Sequence, residues 1–287
     1  MKIAISSDSA IDVQEDLLKK YDISVVPYTI TYGGKEYIDG QLDIAEMFKY
    51  CDENKQLPKT SAINVEAFNE YFSKLLQSYD AIIHITLSSE ITSACQHARM
   101  AAQNFKNVYV IDSRSLSTGI ALLAIYAREL SYTIDDPAEI CKKVEQRVSK
   151  VQASFIVDTL DYLKMGGRCS ALTAFGAKVL SLHPQILLKD GKMVVGKKYL
   201  GRRMEKNAVK YALDTLAEFN HPDKHVIFVT HSVSDPGIAE AVIEEVKKYG
   251  FENVYETTAN ATVSSHCGKN TIGILYINDG EEELELK

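Results

Sequence analysis

Through the first half of this 287-residue chain, short runs of β-branched and aliphatic residues alternate with segments of helical period. Strand-like runs stand near residues 2–6, 24–31, 81–86 and 108–112, and helical spacing begins at Asp12 and recurs over 44–51 and 66–77. A strand that leads through a helix into another strand returns most simply to a parallel sheet, with helices covering both faces. The alternation therefore predicts an α/β fold. Two more helical runs, 117–131 and 137–150, precede a second α/β set that starts near 153–157. We expect an N-terminal domain over residues 1–155, a C-terminal domain over 156–287, and a ligand cleft between them.

In the second half, Lys189-Asp190-Gly191-Lys192 separates apolar runs at 186–189 and 193–198. Asp-Gly between such runs signals a tight hairpin, so this domain should hold a mixed sheet. Helices expected at 205–218 and 237–248 alternate with strands at 225–230 and 253–256, and a last strand runs over 271–277.

Charge narrows the function. The formal net charge is −7, whereas nucleic acid and anionic membrane surfaces call for basic patches. No apolar run reaches membrane-spanning length, and Met-Lys-Ile-Ala-Ile-Ser reads as a strand rather than a signal segment. A cytoplasmic protein without stable membrane insertion is expected. The five cysteines lie at long, irregular spacings, which suits reduced, structural thiols. None of the seven histidines falls in a metal-binding spacing, so neither a metal nor a cofactor is expected.

Thr86-Leu-Ser-Ser-Glu-Ile-Thr-Ser-Ala94 joins a buried-strand run to a helical one. The first amides of a helix lack partners and carry partial positive charge, so with these hydroxyls the junction can receive a small carboxylate or phosphate. The same residues also suit plain helix capping. Loops 7–9, 87–93 and 112–115 all follow strands, and open α/β sheets bind ligands at that edge. Three hydroxyl-rich loops are thus expected on one rim. Leu160-Asp-Tyr-Leu-Lys-Met-Gly-Gly-Arg168 reads as a helix with a glycine exit, and Arg202-Arg203 as either an anion clamp or an exposed pair. His266 falls in a small, polar stretch that reads as a loop before the last strand, with Cys267 beside it as a remote candidate nucleophile. Gly268-Lys269 fails the P-loop pattern at Val263 and Asn270, and no nucleophile elbow or dinucleotide loop occurs.

In order along the chain, Ser7-Asp-Ser-Ala10, Lys59-Thr-Ser61, Ser88-Ser-Glu-Ile-Thr92, Asp112-Ser113, Ser117-Thr-Gly119, Leu160 to Arg168, Pro184-Gln-Ile-Leu187, Arg202-Arg203 and His266-Cys-Gly268 resemble the DegV family. Leu-x-Tyr-Leu-x-x-Gly-Gly-Arg is the most specific of these motifs. The resemblance spans nearly the whole chain. It implies a two-domain α/β lipid binder that holds a long-chain fatty acid between its domains. It further implies likeness to the fatty-acid-binding subunits of bacterial fatty acid kinase, which present the carboxylate to a separate ATP-binding kinase subunit. On that footing Thr60 or Ser61, Thr92 or Ser93, and His266 would contact the carboxylate, with Arg202 or Arg203 near the head group. Arg168 and Arg203 would serve as further head-group or partner contacts. The chain departs from the family pattern at Thr92-Ser93-Ala94, Ala62-Ile63 and Cys267 to Asn270.

The chemistry agrees. A carboxylate is already a nucleophile at neutral pH, so a partner kinase needs it positioned rather than activated, and no catalytic residues are expected in this chain. The rival expectation is a serine hydrolase or acyl transferase pairing Ser93 or Ser265 with His266. The apolar run 171–180 would line a tail tunnel or simply fill the core.

Overall fold

The computed structural model describes residues 1–167, 181–233 and 235–280. Arg168 and the run 171–180 lie outside the described residues. The strands are, in chain order, β1 (Ile3–Asp8), β2 (Ile23–Val26), β3 (Thr29–Tyr32), β4 (Lys35–Ile38), β5 (Lys59–Ser61), β6 (Ala81–Thr86), β7 (Val108–Asp112), β8 (Val151–Ile156), β9 (Leu182–Lys189), β10 (Lys192–Leu200), β11 (Val226–His231), β12 (Asn253–Thr258) and β13 (Ile272–Ile277). The first helices are α1 (Glu15–Lys20), α2 (Ile44–Asn54), α3 (Val65–Leu75), α4 (Ala94–Ala102) and α5 (Thr118–Leu130). They are followed by α6 (Pro137–Val148), α7 (Asp161–Gly166), α8 (Met204–Glu218), α9 (Pro236–Lys247) and α10 (Ala261–Cys267), with a 3₁₀ turn at Ser9–Ile11.

The expected parallel sheet is present, in the order β2–β1–β6–β7. Every residue of β1 and β6 is buried. Because successive side chains of a strand point to opposite faces, both faces of this sheet are covered. The second sheet, β10–β9–β8–β13–β11–β12, is mixed, with only β11 and β12 parallel. It takes β8 from Val151, so a division at 155/156 falls at the end of that strand. In the β9–β10 hairpin Asp190 and Gly191 take φ values of 50° and 79°, the paired positive values of a primed turn.

Helix α5 lies between the two large sheets. Ten of its thirteen residues are buried, and it packs on β1 and β6 as well as on β8, β11 and β13. A helix apolar on all sides suits that place. One continuous core runs through it from Ile3 to Ile277, and α8 and α9 cover the other face of the mixed sheet over Tyr211, Val229 and Ile274.

Three local expectations are corrected. The run 24–31 is two strands, not one: the chain leaves the parallel sheet at Pro27, which has no N–H to donate, and β3 joins a small antiparallel sheet, β4–β3–β5. The helix expected from Asp12 begins at Glu15, because Asp12 sits in the left-handed region at φ 54°. Its carboxylate instead accepts hydrogen bonds from the Asn260 N–H (2.7 Å) and the Ser117 hydroxyl (2.6 Å). His266 stands on helix α10, not in a loop.

Candidate functional site

Three separate elements meet around one cavity of about 160 Å³. The first is the turn from β6 to α4. Its opening residues are consumed structurally: the Leu87 N–H donates to Asp8 Oδ2 (2.8 Å), the Ser88 hydroxyl to the Gly191 carbonyl (2.8 Å) and the Ser89 hydroxyl to Asp112 (2.5 Å). Arg114 reaches the same hairpin tip through the Asp190 carbonyl. Ile91, Thr92 and Ser93 are thereby held facing the cavity. Ser93 occupies the N-cap position of α4 but makes no capping hydrogen bond with its side chain, while Thr92 Oγ1 accepts from the Ala94 N–H (3.2 Å).

The second element is β5. Thr60 and Ser61 reach the cavity because β5 pairs with β3 in register Ile30↔Thr60, which turns this short strand over the β6–α4 turn. The third is α10, where Thr262 and His266, four residues apart, share one helical face toward the cavity. His266 Nε2 and Thr60 Oγ1 lie 3.1 Å apart in a hydrogen bond across 206 residues of sequence. Ala62, Leu87, Ile91 and Tyr28 complete the wall. Ser61 and Ser93 are exposed, so the cavity reaches the surface.

The glycines of the Leu-x-Tyr-Leu-x-x-Gly-Gly motif acquire a reason here. A Cβ on Gly166 would stand 2.3 Å from His266 Nδ1, so only glycine lets α7 lie against the imidazole. Gly268, at φ +85°, accepts the Tyr162 ring in the same way, at 2.6 Å from its would-be Cβ.

Behind the cavity lie three buried aspartates. Asp39 ties down the start of α10 by accepting from the Thr262 N–H (3.0 Å) and the Ser9 hydroxyl (2.7 Å), favourable placement for a carboxylate at a helix N-terminus. Asp8 accepts from the Ala10 N–H at 3.1 Å as well as from Leu87. Burial pushes its carboxyl up to about 7 against the pull of those two amides. Burial likewise raises Asp12 and Asp39.

Of the expected site residues, Thr60, Ser61, Thr92, Ser93 and His266 share this cavity. Arg202 and Arg203 do not line it: they are exposed at the β10–α8 turn, where Arg203 is the N-cap residue of α8. The three-loop rim is corrected too. Ser7 donates to the Ile85 carbonyl (2.7 Å) and Ser113 to the Ser115 carbonyl (3.2 Å), so loops 7–9 and 112–115 brace the site from behind instead of lining it. Cys267 is buried and faces a different, 30 Å³ cavity with Ser154 and Thr230, away from the one His266 lines. Ser265 is buried, with its hydroxyl donating to the Thr262 carbonyl at 3.1 Å.

Tyr28, Asp39 and Thr262 were not legible as site residues. A helical reading of 261–267 would have found Thr262, since it places that residue one turn before His266; nothing local to Tyr28 or Asp39 signals their position. Among the described residues no group of three or more His, Cys, Asp or Glu is placed to hold a metal ion, and no helix is long and apolar enough to cross a membrane.

The arrangement suits a singly charged or neutral oxygen-rich head group. Six hydroxyl-bearing side chains and an imidazole face the cavity, and neither Lys nor Arg is among its described lining residues. Comparison with known proteins gives that geometry a context. The DegV family model matches residues 2–279. A DegV domain-containing protein of Caldanaerobacter subterraneus subsp. tengcongensis is 30% identical over 281 residues, 96% of this chain and 98% of its own. A fatty acid-binding protein of Thermotoga maritima is 28% identical over 296 residues and covers 100% of both chains. In structure, a fatty-acid-binding DegV family protein from Thermus thermophilus matches with a TM-score of 0.87 at 25% identity, over 97% of this chain and all of its own. A DegV lipid-binding protein from Thermotoga maritima matches with a TM-score of 0.83 at 27% identity, over 96% and 98%. Two sheets joined through a buried helix, the ordered motifs along them, and a family match from end to end lead to one conclusion: this chain belongs to the DegV family.

Proposed function

We propose that this protein acts in the cytoplasm as a carrier that binds one long-chain fatty acid between its two domains. It presents the carboxylate to a separate ATP-binding kinase subunit, which phosphorylates it to an acyl phosphate. The observation that carries this reading is the cavity where Thr60 and His266 meet Thr92 and Ser93, in a family whose relatives bind fatty acids. At about 160 Å³ it has ample room for a carboxylate, since one water needs only about 10–15 Å³. Burying a carboxylate is costly unless donors receive it, and hydroxyls with an imidazole do so. The tail provides affinity: roughly ten methylenes at ~0.8 kcal/mol each give on the order of 8 kcal/mol before ordering costs. Arg202 and Arg203, exposed and outside the cavity wall, are assigned to contact with the kinase subunit rather than with the bound carboxylate.

Native mass spectrometry of the purified chain, followed by denaturing extraction, tests the carrier. One fatty acid per chain is expected, with phosphate transfer once ATP and a kinase subunit are added. Weaker binding or presentation is expected in His266→Ala and in Thr92→Ala/Ser93→Ala. A chain that carries no lipid and takes up neither added palmitate nor oleate refutes the proposal. Turnover of an acyl ester by the chain alone would favour the hydrolase, for which Ser265 is poorly placed because its buried hydroxyl is engaged within α10.

A further inference from the structure

Tyr28 stands at the corner where the chain passes from β2 to β3, and its backbone is pinned on both sides. Its N–H donates to the Ser9 hydroxyl (2.9 Å), and its carbonyl accepts from the Asp39 N–H (3.0 Å). The side chain is driven inward, leaving the residue 2% exposed, and it forms part of the wall of the head-group cavity. Its hydroxyl is buried beside Thr92 and Asp8 yet completes no well-formed hydrogen bond. Asp8 and Thr92 Oγ1 accept from backbone amides, and neither meets the phenol in full hydrogen-bond geometry. A buried phenol without a well-formed hydrogen bond gains from a better-placed acceptor.

We infer that Tyr28 is a further head-group donor, a rigidly held phenol that gives a hydrogen bond to a carboxylate oxygen of the bound fatty acid. This rests on the fatty-acid reading of the cavity. A carboxylate oxygen in the cavity offers the phenol a well-aligned, charged acceptor, and a donor fixed before the ligand arrives loses little freedom on binding. Tyr28 thereby supplements the hydroxyls of Thr60 and Thr92 in a wall without Lys or Arg among its described residues.

The test compares wild type with Tyr28→Phe, which removes the oxygen and keeps the ring. Dissociation constants are measured for myristate, palmitate and stearate, together with the thermal midpoint of the ligand-free protein. About tenfold weaker binding is expected, by the same factor for all three acids because the lost contact is to the head group. The ligand-free midpoint should hold or rise, since a buried hydroxyl lacking a good partner has been removed. If wild type binds and the variant binds equally well, the assignment of Tyr28 fails while the cavity stands. A loss that varies with chain length, or that tracks a falling midpoint, marks Tyr28 as packing and also overturns it. If wild type binds none of the three acids, the fatty-acid reading fails and Tyr28 falls with it.

Discussion

Substituting Gly166 by Ala should disable the proposed head-group site through a single methyl group. The added Cβ would stand 2.3 Å from His266 Nδ1 and 3.3 Å from two ring carbons, so the imidazole must recede by about 1 Å to reach ordinary contact at 3.4 Å. His266 Nε2 now lies 3.1 Å from Thr60 Oγ1, and a shift of that size disrupts this hydrogen bond and moves the imidazole from its place in the cavity wall. A hydrogen bond to a charged group contributes about 1.5–3 kcal/mol, so affinity for a fatty acid should fall by roughly 10- to 150-fold. The neighbouring glycine is the control. Gly167 has nothing within 4 Å of its would-be Cβ but takes φ +67°. Gly167→Ala should therefore cost stability, about 1 kcal/mol or a little more, for holding a left-handed conformation, while leaving binding close to wild type. Calorimetric titration with palmitate, paired with thermal denaturation of the ligand-free variants, separates the two. Wild-type affinity in Gly166→Ala would show that α7 does not set the position of His266.

Two further outcomes concern the scaffold. Arg147 is 7% exposed, bonds Asp279 through Nε (2.7 Å) and Nη2 (2.6 Å), and reaches Asp223 at 2.8 Å. Arg147→Met should strand the buried Asp279 and cost about 3–5 kcal/mol in urea denaturation, and a loss below about 1 kcal/mol would contradict this. His225 bridges Glu129 (2.8 Å) and Glu252 (3.0 Å); burial opposes its charge, but hydrogen bonds to Glu252 and Glu129 win and raise its pKa above 6.5. The folded state then holds the proton more tightly than the unfolded chain, so the stability this site adds is complete below pH 6.5 and is lost as pH climbs through the raised value. The stability difference between wild type and His225→Gln should shrink accordingly, and a difference that stays constant from pH 6 to 9 would contradict the assignment.

Legibility in the sequence followed the range of the interaction. Asp190-Gly191 announced a primed turn because the two φ values it needs belong to those two residues. The buried strands β1 and β6 announced themselves through their apolar stretches 3–5 and 81–83, which need no alternation because both faces are covered. Asp12 misled, since helical spacing begins at it, whereas it sits in the left-handed region and its carboxylate serves Asn260 and Ser117 far along the chain. His266 misled for a similar reason: the small polar residues of α10 hold a helix only because Asp39 secures its start and Gly166 and Gly268 let α7 pack on it.

By itself the sequence determined the α/β class, the parallel first sheet, the mixed second sheet and the family, through periodicity and motif order that neighbouring residues carry. The tertiary structure alone decided which hydroxyls face one cavity. Ser7 and Ser113 look no different in sequence from Thr60 and Thr92, yet the first two spend their protons on nearby carbonyls and the others face a cavity. Which hydroxyls face a common space is settled by the burial of surfaces distant in sequence, which brings β5, the β6–α4 turn and α10 together around one cavity.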